Sequence, residues 1–325
     1  MSIRVGIVGI SGFGGGEALR VIAGHPAFDL VYAAGDSSAG QALTDRFPGA
    51  PQKLAGLVIQ KWDPEYLPDL DILFASLPTG ASAAALATVP DRVKIVDIGG
   101  DHRHVDGWTY GLADIWPERI RGHTRIANPG CFPVATLTAL APLLTAGLIE
   151  PDNIVIDAKT GISGAGRGGG DSRFGYAETN ENLKPYGLLE HVHMPEMETT
   201  IAQLSGGSAA GLVFTPHLVP MTRGLLVTVY CRGNATTAQC LDAARGFYAG
   251  RPFVRVTDRP PQTKWASGSN LSCVSYAADP DRNLVIAMGV VDNLGKGAAG
   301  HAVQNANLIC DLPETFGLEG APIWP

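Results

Sequence analysis

The segment Ile3-Arg4-Val5-Gly6-Ile7-Val8 runs straight into Gly9-Ile10-Ser11-Gly12-Phe13-Gly14-Gly15-Gly16-Glu17, and then into helically spaced apolar residues at Ala18, Leu19, Val21 and Ile22. Few arrangements constrain a fold more. A short, largely apolar strand followed by a glycine turn and a helix is the opening unit of a parallel sheet buried on both faces. The spacing Gly9-x-x-Gly12-x-x-Gly15 lets backbone N–H groups at the start of the helix approach a pyrophosphate. The competing reading is a tight turn with no ligand. Ser11, Phe13 and Gly14 complete the candidate cofactor loop.

Further strand-like runs follow at Leu30–Ala34, Asp71–Leu77 and Lys94–Ile98, and an Ala-rich helix is expected over Ala81–Ala87. Alternating units of this kind predict an N-terminal, Rossmann-like, doubly wound parallel sheet with a ligand crevice at the carboxyl ends of its strands. After the second strand, Asp36 suits a ribose hydroxyl and so NAD, whereas Ser37 and Ser38 suit a 2′-phosphate and so NADP. Pro78 closes the third strand at the same edge. The first domain is expected to span 1–128, with a final helix at about 299–325 packing back on it. Residues 129–298 read as a second, α+β domain with a mixed, mainly antiparallel sheet, its strands at 154–158, 212–214, 225–231, 253–257, 271–276 and 284–291.

The turn between the two domains, Asn128-Pro129-Gly130-Cys131-Phe132-Pro133, leads into an apolar run ending at Leu144. Pro133 is tolerated in a first helical turn, so Cys131 stands at a helix mouth. There the macrodipole lowers a thiol pKa and favours the nucleophilic thiolate, although a lone cysteine is as often a small core hydrophobe. The five cysteines (131, 231, 240, 273 and 310) contain no C-x-x-C pair, which disfavours a zinc knuckle or a disulfide framework. A net charge of −7 offers no basic footprint for nucleic acid, and no apolar run is long enough to cross a bilayer. With strand-like sequence beginning at Ile3 there is no room for a signal peptide, which points to the cytoplasm.

Three later segments carry chemistry. Gly161-Ile162-Ser163-Gly164-Ala165-Gly166-Arg167 allows close approach of a ring or phosphate, with Arg167 to neutralise an anion; a flexible loop without a ligand is the alternative. His191 and His193, at i and i+2, share one side of an extended strand. Either can serve as a base for Cys131 or as a metal ligand, or the pair can be plain surface or core histidines. In Asp292-Asn293-Leu294-Gly295-Lys296-Gly297, Asn293 can pair with a carboxamide and Lys296 can hold a phosphate; a turn opening a helix is the alternative. Arg103, His217 and Arg223 add anion-binding candidates.

These segments resemble N-acetyl-gamma-glutamyl-phosphate reductases: the Gly9 loop, Asn128–Pro133, Gly161–Arg167, Phe174 to Tyr186, His191–Glu196, Pro216–Gly224 and Asp292–Gly300 occur in the same order. The resemblance implies an NADPH-dependent reductase of arginine biosynthesis, related to aspartate-semialdehyde dehydrogenase. It implies that the Cys131 thiolate expels phosphate from an acyl phosphate, that hydride reaches the resulting thioester, and that the semialdehyde is released. It makes His193 the acid–base group and His191 a positioning group. Ser163, Gly164, Ala165 and Asn293 are set against the cofactor, Asn128 and Glu196 among the substrate contacts, and no residue on a metal. A homodimer or homotetramer is implied, with Met221 to Tyr230 as part of the interface.

The chain has Phe132 and Val134 where this family shows Tyr and Thr. It has Val192 between two histidines where Arg is common, Thr79 where His is common, and Ala113-Asp114 where Pro-Glu is common. Val192 cannot pair with a carboxylate as Arg does. A reductase of another acyl phosphate, carrier-linked aminoadipyl or aspartyl, is therefore the second reading, and a non-catalytic NADP-binding sensor the third.

Overall fold

The structure, a computed structural model, describes residues 2–167, 174–207 and 209–324. The chain divides into two compact units: Met1–Pro129 with Ala298–Glu319, and Gly130–Gly297 with Gly320–Pro325.

The first unit holds strands β1 (Ile3–Val8), β2 (Phe28–Ala34), β3 (Ile72–Ala75), β4 (Lys94–Asp97), β5 (Thr109–Tyr110) and β6 (Arg125–Ala127), with helices α1 (Phe13–Ala23), α2 (Leu43–Arg46) and α3 (Ser82–Leu86). All strand pairs are parallel, in the order β2-β1-β3-β4-β6-β5. β1 lies between β2 and β3, so the strand order reverses beside it, which is where open α/β sheets bind ligands. Every residue of β3 is buried, as a strand covered on both faces must be. The two- and three-residue strands β5 and β6 are too short to show a period in the sequence.

The second unit is built around α4 (Cys131–Thr145), whose residues Phe132 through Leu144 are all buried. A helix apolar all round has to be covered all round. Strands β7 (Val155–Gly161), β8 (Lys184–Pro185), β9 (Val213–Val219), β10 (Leu225–Cys231), β11 (Val254–Val256), β12 (Ser272–Asp279) and β13 (Leu284–Val291) form one sheet in the order β11-β12-β13-β10-β7-β9-β8. Four of its pairings are antiparallel and two parallel, the mixed sheet expected. α4 packs on β10, β12 and β13 and against α6 (Met194–Ser205) and α7 (Thr237–Phe247); α5 (Tyr176–Thr179) is a single turn.

α8 (Gly300–Ile309) packs on α1 and β4 within the first unit, with all ten residues buried. The helix expected to run to 325 stops there. Asp311 is left-handed at φ 55°, Leu312 N–H closes back on Asn307 O at 2.9 Å, and Pro313 has no N–H with which to continue the helix. Pro325, at the end of the expected span, lies outside the described residues. No helix among the described residues is long and apolar enough to cross a membrane.

Candidate functional site

In the first unit close backbone contacts require glycine at positions 9 and 15 of the loop, and Gly14 lies close against a side chain. A side chain at Gly9 (φ 81°) would place its Cβ 2.1 Å from Ser76 O, one at Gly14 2.5 Å from Ser76 Oγ, and one at Gly15 2.3 Å from Gly9 O. The N-cap of α1 is Gly12, which has no side chain to cap the helix, and the first turn carries no acidic residue to oppose an anion. That cradle fits a nucleotide pyrophosphate. The side chains after β2 divide: Asp36 and Ser37 are exposed, whereas Ser38 is buried with its Oγ 2.5 Å from Ser11 Oγ. Arg46, unmarked in the sequence reading, reaches Ser11 O with Nη2 at 3.4 Å. It sits 35 residues from Ser11, so no local signal could have found it. Pro78 is exposed just after β3, and Phe13 is 36% exposed.

Two expected substrate residues in this unit are engaged with the protein. The buried Asn128 donates from Nδ2 to Pro129 O and Ala298 O, each at 3.2 Å, and accepts from Asn305 Nδ2 at 3.0 Å. Its amide braces the chain. Arg103 spends its Nε on Asn128 O at 3.0 Å.

In the second unit Cys131 is the first residue of α4, half-buried, behind an N-cap, Gly130, that offers no side chain. Gly130 N–H donates to Glu196 Oε1 at 2.9 Å, and a Cβ at Gly130 would lie 2.4 Å from His193 Nε2. The glycine thus lets the imidazole sit against the residue that precedes the thiol. Glu196, buried at the start of α6, holds this peptide in place.

His191 and His193 are not on a strand, as expected from their spacing, but in the turn that opens α6; the turn brings their rings to 4.8 Å. His191 lies against Phe132, Tyr186 and Phe214, with ring centroids 5.2 to 5.5 Å away. Its Nδ1 accepts the His193 backbone N–H at 3.1 Å, which places the proton of the neutral ring on Nε2. Burial, reinforced by the charge of Cys131, pushes the Tyr186 phenol up, so it stays protonated. In the sequence Tyr186 marks only the end of the Phe174–Tyr186 motif.

The remaining expected residues separate. Asn293 is buried, donating to Ser163 Oγ at 2.9 Å and accepting from Gly224 N–H at 2.8 Å. Gly164, Ala165 and Arg167 are exposed in the adjoining loop. Lys296, expected on a phosphate, is fully buried with Nζ 5.1 Å from the Phe253 ring centroid. His217 alternates with Phe214 and Leu218 along β9 and therefore faces away from the Phe214–His191 contact, with Nδ1 3.3 Å from Asp157 Oδ1. Arg223 forms a bidentate pair with Asp292, Nε–Oδ2 2.9 Å and Nη2–Oδ1 3.1 Å. Among the described residues no three His, Cys, Asp or Glu side chains converge on a metal position.

Residues 4–123 match the family model described as semialdehyde dehydrogenase, NAD binding domain, and residues 131–293 that described as semialdehyde dehydrogenase, dimerisation domain. The sequence is 80% identical over 325 residues to the N-acetyl-gamma-glutamyl-phosphate reductase of Bradyrhizobium sp. (strain ORS 278), covering 100% of each chain. It is 78% identical over 325 residues to that of Methylobacterium sp. (strain 4-46), again over 100% of each chain. Among solved structures, aspartate semialdehyde dehydrogenase II from Vibrio cholerae complexed with ASA aligns with a TM-score of 0.78 at 22% identity, over 96% of this chain and 99% of that one. Aspartate semialdehyde dehydrogenase with NADP from Candida albicans aligns with a TM-score of 0.76 at 18% identity, over 94% and 98%. At these identities the structural likeness is one of fold.

Proposed function

The chain belongs to the N-acetyl-gamma-glutamyl-phosphate reductases, and from that premise we propose that Cys131 is the nucleophile, His193 the acid–base group and the Gly9–Gly15 loop the nucleotide cradle. The enzyme is a NAD(P)-linked reductase of arginine biosynthesis. The observation that carries the residue assignment is the seat of Cys131: first in α4, with His193 Nε2 packed on Gly130 beside it.

His193 takes the thiol proton, and the thiolate attacks the acyl carbon; the carbon–sulfur bond forms as the carbon–oxygen bond to phosphate breaks. Reduced nicotinamide, when bound, supplies the hydride that the thioester carbon accepts. His193 then exchanges a proton with the hemithioacetal oxygen and the departing sulfur. His191, neutral with its proton on Nε2, donates and orients, and does not act as the base. Ser163, Gly164, Ala165 and Asn293 border the cofactor in this reading. Arg103 and Arg167 supply cationic contacts to the acyl phosphate.

NADP is the proposed cofactor, because Arg46, whose Nη2 reaches Ser11 O, sets a cation beside the Ser11–Ser38 hydroxyl pair, where a 2′-phosphate would lie. Roles divide by unit: the first holds the nucleotide, and the second carries the thiol and the subunit interface. For that interface the face of the seven-stranded sheet turned away from α4 is the candidate. Val213, Val155 and Tyr230 stand in register across β9, β7 and β10 at 38–39% exposed. A second copy of the chain covers this face in a cytoplasmic homodimer, and further association makes a tetramer.

The reading is tested by phosphate-dependent reduction of NADP with N-acetyl-glutamate semialdehyde and with aspartate semialdehyde. Activity confined to the acetylated aldehyde and abolished in Cys131→Ser supports it. Retained activity in Cys131→Ser overturns it.

A further inference from the structure

We propose that Arg223 and Asp292 are positioning residues for the nucleophile, their ion pair setting the 292–297 turn that seats Gly297 against Cys131. The proposal rests on the reading of Cys131 as the nucleophile. Arg223 looks like a substrate cation in sequence, yet both of its bonds to Asp292 are made within the protein.

Asp292 closes β13 and is fully buried. Its Oδ1 accepts from Arg223 Nη2 and, at 2.9 Å each, from Leu294 N–H and Gly295 N–H. Its Oδ2 accepts from Arg223 Nε and, at 2.6 Å, from Gly268 N–H. One carboxylate therefore ties the 268 loop, the Arg223 loop and the start of the following turn together. A buried carboxylate needs such donors, and removing its cation leaves the charge undercompensated.

The turn itself is wound wide. Gly297 N–H reaches back five residues to Asp292 O at 2.8 Å, and Gly295–Ala299 is a π-helical turn, a form that recurs at functional sites. At its crest, a Cβ on Gly297 would fall 2.7 Å from Cys131 Cβ and 3.3 Å from Cys131 Cα. The bare Cα of Gly297 is the wall on which the Cys131 side chain rests. Displacing the turn displaces the sulfur, and attack on an acyl carbon is sensitive to misplacements of about 1 Å.

Asp292→Asn, Arg223→Lys and Gly297→Ala are compared with the parent enzyme in steady-state kinetics and in the rate of Cys131 alkylation by iodoacetamide without substrate. We expect kcat to fall about 10- to 100-fold in each, with the KM for the semialdehyde within about 2-fold. The alkylation rate constant, which no substrate contact can influence, should change in the same rank order. Arg223→Met should be more impaired than Arg223→Met/Asp292→Asn, which removes both charges. A raised KM with unchanged kcat and alkylation would make Arg223 a substrate contact and overturn the proposal, as would parental behaviour in all variants. If Asp292→Asn does not fold, Arg223→Lys and Gly297→Ala decide. Retained activity in Cys131→Ser would sink the nucleophile reading separately, because the alkylation readout reports the seat of the thiol whatever its role.

Discussion

The Tyr248 hydroxyl donates to the Thr138 carbonyl oxygen at 2.7 Å, in the place where Pro142, inside α4, has no N–H to give. A proline within a helix leaves the carbonyl four residues back without its partner, and here that carbonyl is buried. Tyr248→Phe should therefore destabilise the protein by about 1–3 kcal/mol, the cost of a buried unsatisfied acceptor. Denaturant unfolding measures it; a change under about 0.5 kcal/mol would mean that the carbonyl finds another donor.

The two histidines should separate in their pH profiles. His193→Gln removes the proposed acid–base group and should cost about 10²–10⁴ in kcat, with loss of the ionisation it contributes to kcat/KM. His191→Asn keeps an oxygen to accept the His193 N–H and should retain that ionisation at reduced kcat. If the ionisation disappears with His191 instead, the roles are reversed.

His25 makes stability depend on pH. Burial lowers its pKa below 6.5, outweighing the hydrogen bonds the ring donates to Asn307 Oδ1 and the Phe316 backbone, which favour its charged form. Its Nδ1 accepts from Ala27 and Phe28 N–H, each at 3.2 Å, a geometry that requires the neutral ring. Below pH 6.5 the unfolded chain takes up a proton that the folded chain refuses, so stability falls with pH until the folded pKa is reached. The slope is at most about 1.4 kcal/mol per pH unit. Thermal unfolding from pH 8 to 5 should show this component in the parent and lose it in His25→Gln.

Cofactor choice turns on Arg46. Arg46→Ala should raise the KM for NADPH about 10-fold or more, the value of a charge-assisted contact, and leave the KM for NADH unchanged. Equal effects on both would place Arg46 away from the 2′-phosphate.

Thiol reactivity should be confined. Burial pushes Cys231 up to about 12 and Cys240 and Cys273 up to about 11, so these three should resist iodoacetamide at pH 8. Mass spectrometry of partly labelled enzyme should find Cys131 modified first; early labelling of a core cysteine would contradict the packing around α4.

Much of the site was legible because its parts are local. The Gly9–Gly15 spacing, the helix mouth at Cys131 and the pairing of His191 with His193 are each set within a few residues. The histidines meet as the sequence suggests, but through a turn rather than a strand, since Pro195 in the first turn of α6 favours a helix start there. Arg223, Asn128 and Glu196 each have partners within the protein, and Lys296 is fully buried, none of which their motifs show. A charge or amide in a motif does not reveal whether the fold has already supplied its partner.

By itself the sequence determined the two sheets, the family and the position of the thiol, because strand period, glycine spacing and a proline in a first helical turn act over neighbouring residues. Only the tertiary structure decided which polar groups are committed. Asp292 lies 69 residues from Arg223, and Asn305 lies 177 from Asn128. Partners so distant in the chain meet only when the sheets form, and burial then obliges each polar group to find one.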